Sequence, residues 1–240
     1  MDLILRNARL AHAPHKTVDI GVKSGKIAVI RPNLVADAPE SHDAQGCLVC
    51  AGLCETHIHL EKSRIIDRCA PEQGRNPMAM QRVSAVKHSF TPEDILARAR
   101  QTLERCIENG ATRMRAHVEV DPLIGLRGLD AVQHLARDYA WAIDIEICVF
   151  PQEGLTNSPG TEPLLLEALR RGAGGRVVQA LGLGNALQAL QLALCMHQPL
   201  GQQGVRGRLK VGVQGGWAAS GSSKASVPPK GLLVVLRVVL

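Results

Sequence analysis

Gly52-Leu53-Cys54-Glu55-Thr56-His57-Ile58-His59-Leu60 is an apolar run that ends on a glutamate and two histidines. Read as a strand, it alternates its side chains between two faces. His57 and His59, two residues apart, then project from the same face. Two imidazoles side by side at a strand end can share one divalent ion, and nitrogen donors suit zinc or ferrous iron. The bare spacing also fits two solvated histidines, or one packed and one solvated.

The chain downstream shows what kind of sheet this strand enters. Thr91 caps a helix, Pro92 takes its first position, and Ile95, Ala99, Leu103, Cys106 and Ile107 form one apolar stripe. Asn109-Gly110 stops it. Residues 111–120 read as a strand, 129–139 as a helix, 143–150 as a strand and 161–171 as a helix. Alternation of this kind predicts parallel strands with right-handed crossovers. Function gathers at the C-terminal ends of such strands, where His57, His59, Glu119, Asp121 and Gln152 fall. Between the two regions, residues 61–90 read as a long loop with one short helix. Upstream, residues 3–8, 18–22 and 26–30 read as a meander turning at Ser24-Gly25-Lys26, with a connection over 32–46.

Composition narrows the function classes. Hydrophobic residues make up 45% of the 240, enough for a core, but aromatic residues only 2%, too few for a base-stacking platform. There is no apolar stretch of membrane-spanning length and no visible signal peptide. Seven cysteines, an odd number, read as free thiols in a reducing cytoplasm. The net charge of +6 is unevenly placed: all 22 acidic residues lie in residues 1–167, and none in 168–240. The basic balance therefore belongs to one segment and is a poor sign of a nucleic-acid partner for the whole chain.

Three segments, in order, resemble the cytosine deaminase branch of the amidohydrolase superfamily. Gly52 to Leu60 is similar to the superfamily's strand-1 signature, and His59-Leu60-Glu61-Lys62 resembles the branch's His-Leu-Asp-Lys variant. Arg115-Ala116-His117-Val118-Glu119-Val120 looks like its strand 2. Val149-Phe150-Pro151-Gln152-Glu153-Gly154 looks like its strand 3. The resemblance implies a TIM-type (β/α)8 barrel with metal at its C-terminal face, where activated water attacks an sp² ring carbon and ammonia or an amine leaves. It implies His57 and His59 as metal ligands, and Gln152 as the group that reads an amide-like ring edge. A carboxamide offers both a donor and an acceptor for that task; outside the resemblance, Gln152 also reads, less favoured, as a turn residue before Gly154. His117 is expected in the pocket or behind the ligands, or as a histidine satisfied within a barrel core.

The departures shape the rest of the expectation. The family needs a later histidine ligand, a proton-shuttling glutamate and an aspartate on the last barrel strand. After Glu167 the chain has no carboxylate, and His197 stands in an unrelated Cys-Met-His-Gln context. No catalytic residue is therefore identifiable, and a divalent metal, iron or zinc, is expected to be weakly held. A barrel takes about 250 residues, so a barrel starting near residue 47 is expected to be incomplete, with about three β/α units. Residues 172–240 hold 13 of the 23 glycines and read as an aberrant basic tail, expected from a frameshift or altered exon joined near Arg171-Gly172-Ala173. Within the tail, residues 181–196 could form one weak helix and 232–240 is an apolar, β-prone run.

The expected organisation is a small β-subdomain (1–46), the front part of a metal-dependent hydrolase barrel (47–172) and the tail (173–240). The expected function is C–N bond hydrolysis on a cyclic amidine or pyrimidine-like ring, in the cytoplasm, by a chain that is impaired or inactive. The expected partner is a small heterocycle, with no membrane; the open sheet edge allows a homo-oligomer. Alternatives are a non-catalytic remnant, an assembly partner and, least favoured, a nucleic-acid binder acting through the tail. A structural zinc site on Cys47, Cys50, Cys54 and His57 is disfavoured against buried thiols, because no turn residues separate Cys47 from Cys50.

Overall fold

Leu3, Ile4, Leu5 and Ala8 are buried along the first strand and Ile20 and Val22 along the second, so the N-terminal meander has an apolar face to cover. The computed structural model describes residues 1–69, 79–173, 210–212 and 234–237. They fall into two units, one built on Met1–Leu53 with the described tail strands, the other on Cys54 onward.

The first unit is a sheet. β1 (Leu3–Leu10) pairs antiparallel with β2 (Ala13–Lys23), and β2 with β3 (Lys26–Arg31). Lys23 faces Lys26 across a two-residue turn in which Ser24 and Gly25 both have positive φ, 52° and 75°. That is the type I′ geometry whose twist matches the strands. The expected connection over 32–46 contains a further strand, β4 (Glu40–Asp43), parallel to β1. It has no apolar residue and is exposed throughout, so hydrophobic patterning could not reveal it. β5 (Leu48–Ala51) also pairs with β1, and β9 (Lys210–Gly212) and β10 (Val234–Arg237) continue the sheet beyond it. The apolar run over 232–240 thus supplies β10, paired with β5. The helix expected over 181–196 lies outside the described residues.

The second unit is α/β. Its sheet runs β6 (Leu53–Ile58), β7 (Ala111–Glu119), β8 (Asp144–Phe150), and β7 and β8 are parallel in register from Arg113↔Asp144 to Glu119↔Phe150. α1 (Ala79–Val86) and a single 3-10 turn (Lys87–Ser89) precede α2 (Pro92–Glu108). The Thr91 hydroxyl accepts from the Asp94 N–H at 3.2 Å, as its capping position requires. α3 (Arg127–Asp138) links β7 to β8, and α4 (Thr161–Arg170) follows β8. Ala99, Leu103, Val118, Leu129, Val132 and Val149 are fully enclosed between helices and sheet. The unit has the order of an incomplete (β/α)8 barrel with three β/α strands. Among the described residues no helix is long and apolar enough to cross a membrane.

One buried arginine holds the segment that leaves β6. Arg98, on α2, donates to the carbonyls of Glu61 (3.1 Å) and Ser63 (2.6 Å) and to Asp94, and its guanidinium lies 4.9 Å over the Phe90 ring. Arg68 adds a paired contact to Asp94 (2.9 and 2.6 Å), and the two guanidiniums hold that carboxyl far below its ordinary range. Arg98→Met would keep the stem but strand two carbonyls and leave Asp94 to Arg68 alone. The expected loss is about 3 kcal/mol in urea denaturation; an unchanged midpoint would contradict this role.

Candidate active site

β6 ends at Ile58, so His57 is its penultimate residue and His59 the first beyond it. The two rings approach edge to face with centroids 5.2 Å apart. His117, near the end of the neighbouring β7, stacks on His57 at 3.9 Å and lies 6.0 Å from His59. The three imidazoles therefore form one cluster.

Two features set their chemistry. His59 Nδ1 lies 2.9 Å from the backbone carbonyl of His117. A carbonyl can only accept, so Nδ1 carries a proton and, in the neutral ring, Nε2 keeps its lone pair. This is the tautomer that ligating histidines adopt when a carbonyl fixes the far nitrogen. The His59 side chain stays 35% exposed, so the ring is not sealed in. His117 differs: it is buried, its Nδ1 has no partner, and burial, with His57, His59 and Arg115 nearby, pulls its pKa below the usual histidine value. It is the neutral ring behind the pair.

Phe150, at the end of β8, connects this cluster to a charged one. Its ring lies 5.2 Å from the His59 ring and 4.9 Å from Lys62 Nζ. Lys62 donates to Gln152 Oε1 and Glu119 Oε2, each at 2.9 Å. Lys87 donates to Glu119 Oε1 (2.6 Å), to Glu153 Oε1 (2.7 Å) and to Asp121. Burial pushes the Glu119 carboxyl up in spite of both lysines. Burial also opposes the charge on Lys87, but its three carboxylate partners outweigh it and raise the pKa. Glu61 is 1% exposed; it accepts the Glu119 N–H through Oε1, while Oε2 has no partner.

Of the residues singled out in the sequence, His57, His59 and His117 meet directly, and Gln152 joins them through Lys62 and Phe150. Lys87 escaped the sequence reading: it follows α1 in a polar stretch and carries no motif. The indirect signal was the set Glu119, Asp121 and Glu153, three acids at adjacent strand ends that require a counter-charge. Their ligand oxygens lie within 4.8 Å of one another. Cys47, Cys50 and Cys54 are free thiols.

No family profile matches the chain. Individual proteins do. An uncharacterized protein of Escherichia coli K12, YahJ, is 31% identical over 163 residues, which is 64% of this chain and 34% of that protein. N-isopropylammelide isopropyl amidohydrolase of Pseudomonas sp. strain ADP is 26% identical over 178 residues, 71% of this chain and 43% of its own length. The crystal structure of 5-methylcytosine deaminase from Klebsiella pneumoniae, liganded with 5-fluorocytosine, superposes with a TM-score of 0.61 at 32% identity, covering 71% of this chain and 42% of that one. Relatives and structural neighbours matched over about 70% of the chain are amidohydrolase-superfamily members. The chain spans between a third and a half of the length of these proteins.

Gly128, in the first turn of α3, is where the helix meets this candidate site. A Cβ there would stand 3.1 Å from Glu61 Cγ and 3.3 Å from Val118 Cγ1. Alanine ordinarily favours a helix by about 1 kcal/mol over glycine. Gly128→Ala is nevertheless expected to destabilise by about 1–3 kcal/mol in denaturant melts and to shift the His59 ring signals by NMR. A stabilised variant would show that the contact is not tight.

Proposed function

We propose that the chain carries the substrate-facing front part of a metal-dependent hydrolase acting on C–N bonds of a pyrimidine-like or cyclic amidine ring. The observation that carries this reading is the His59 tautomer: its fixed Nδ1–H leaves Nε2 as a neutral donor beside the His57 ring. Donors of this kind fit zinc or ferrous iron, and His57 and His59 would hold the ion. Such an ion supplies Lewis acidity and lowers the pKa of water.

The chain's own groups would handle the ring. An ammonium only donates, so Lys62 engages the carboxamide oxygen of Gln152. The Gln152 NH2 is then left to donate to a ring nitrogen or carbonyl acceptor. Phe150 forms an apolar wall between the histidines and Lys62. The deaminase structure, liganded with 5-fluorocytosine, and the amidohydrolase relative support a heterocyclic substrate; the free thiols fit a cytoplasmic setting.

We further propose that this chain alone does not turn over. Glu119, Asp121 and Glu153 are each tied to a lysine, so none is a free base beside the histidines. Residues 168–240 offer no carboxylate, and two histidines without a third protein ligand hold an ion weakly.

Calorimetric titration with zinc or ferrous iron, beside an ammonia-release assay with cytosine, tests both parts. Weak binding is expected, with affinity falling more than about tenfold in His57→Ala and in His59→Ala, and no ammonia. Equal binding in both variants would overturn the metal reading. Metal-dependent ammonia release by the unaltered chain would overturn the inactivity.

A further inference from the structure

Lys87 is 1% exposed, the most deeply buried basic side chain among the described residues. An ammonium has three N–H donors. All three are used, on Glu119 from the end of β7, Asp121 just beyond it and Glu153 after β8. Each carboxylate is also held from its far side or by a second donor. Glu119 Oε2 accepts from Lys62, Asp121 Oδ1 accepts the N–H groups of Leu123 (2.7 Å) and Ile124 (3.0 Å), and Glu153 Oε1 also accepts from Ser84. The oxygens are thus aimed at one point by independent supports. Three converging carboxylates are the usual surroundings of a hard divalent cation.

We propose that Lys87 is the resident cation of an oxygen cage of metal-binding type, and that its ammonium keeps divalent ions out of Glu119, Asp121 and Glu153. The lysine does what an ion would do there. It neutralises carboxylates that would otherwise repel one another, and it clamps the ends of β7 and β8 at fixed spacing without depending on ion supply. Removing the ammonium turns the cage into a divalent-cation site. This inference stands apart from the histidine pair and from any hydrolytic activity.

The test uses the full chain in a His57→Ala/His59→Ala background, so that ions on the histidines are not counted. Bound Mn²⁺ is read by electron paramagnetic resonance, and stability by thermal melts. Adding Lys87→Ala is expected to lower the melting midpoint by about 10 °C in metal-free buffer. Mn²⁺ should restore most of that loss, with about one additional ion bound per chain. Mn²⁺ binding at the cage with Lys87 present, lost on Asp121→Asn, would overturn the proposal. So would a folded Lys87→Ala chain that neither binds Mn²⁺ nor gains stability from it. Should that variant fail to fold in any buffer, reductive methylation of the unaltered protein decides. Lys87 is expected to resist modification while exposed Lys23 and Lys26 react; labelling of Lys87 at their rate would overturn it.

Discussion

The hydrogen bond from His59 Nδ1 to the carbonyl of His117 is the contact on which the site rests. It joins the end of β6 to β7, so it is a fold contact as well as a chemical one. By consuming the Nδ1 proton it decides which nitrogen of His59 is free. The neighbouring His57 ring is held in place by stacking on His117. Burial lowers the His117 pKa, so that ring itself adds no positive charge behind the pair.

A second constraint acts on the opposite side of Phe150. Parallel strands deliver their polar C-terminal residues to one end of the sheet, and here those residues are acidic and enclosed. Buried carboxylates need counter-charges within reach. Lys62 and Lys87 supply them, and in doing so fix Gln152 and the end of β8. The same arrangement limits the chemistry, because carboxylates that neutralise lysines are poor general bases. Positioning groups are present in this chain; the carboxylate beside His59 is Glu61, 3.7 Å from Nδ1, buried and with Oε1 held by the Glu119 N–H.

The parts of the fold that obey periodicity were legible in the sequence. Thr91, Pro92 and the stripe through Ile95, Ala99 and Leu103 defined α2 because cap chemistry and burial agree there. β7 and β8 were readable from their β-branched and apolar runs. The exposed strand β4 was not, since nothing in Glu40-Ser41-His42-Asp43 alternates. α3 begins at Arg127 and not at 129, because Gly128 argues against a helix locally, yet it is needed where the helix backbone approaches Glu61. In the site, His57, His59, His117 and Gln152 could be named because each sits in a motif. Lys87 could not, because a lysine buried by partners from two other segments leaves no trace in its own neighbours.

The central claim is that two imidazole nitrogens of this chain converge on one divalent ion. X-ray absorption at the metal edge of the zinc-loaded protein tests it most directly. The account predicts a nitrogen and oxygen first shell with the outer-shell scattering of two imidazoles, lost in the His57→Ala/His59→Ala chain. A shell dominated by sulfur, or one unchanged when both histidines are removed, would contradict it.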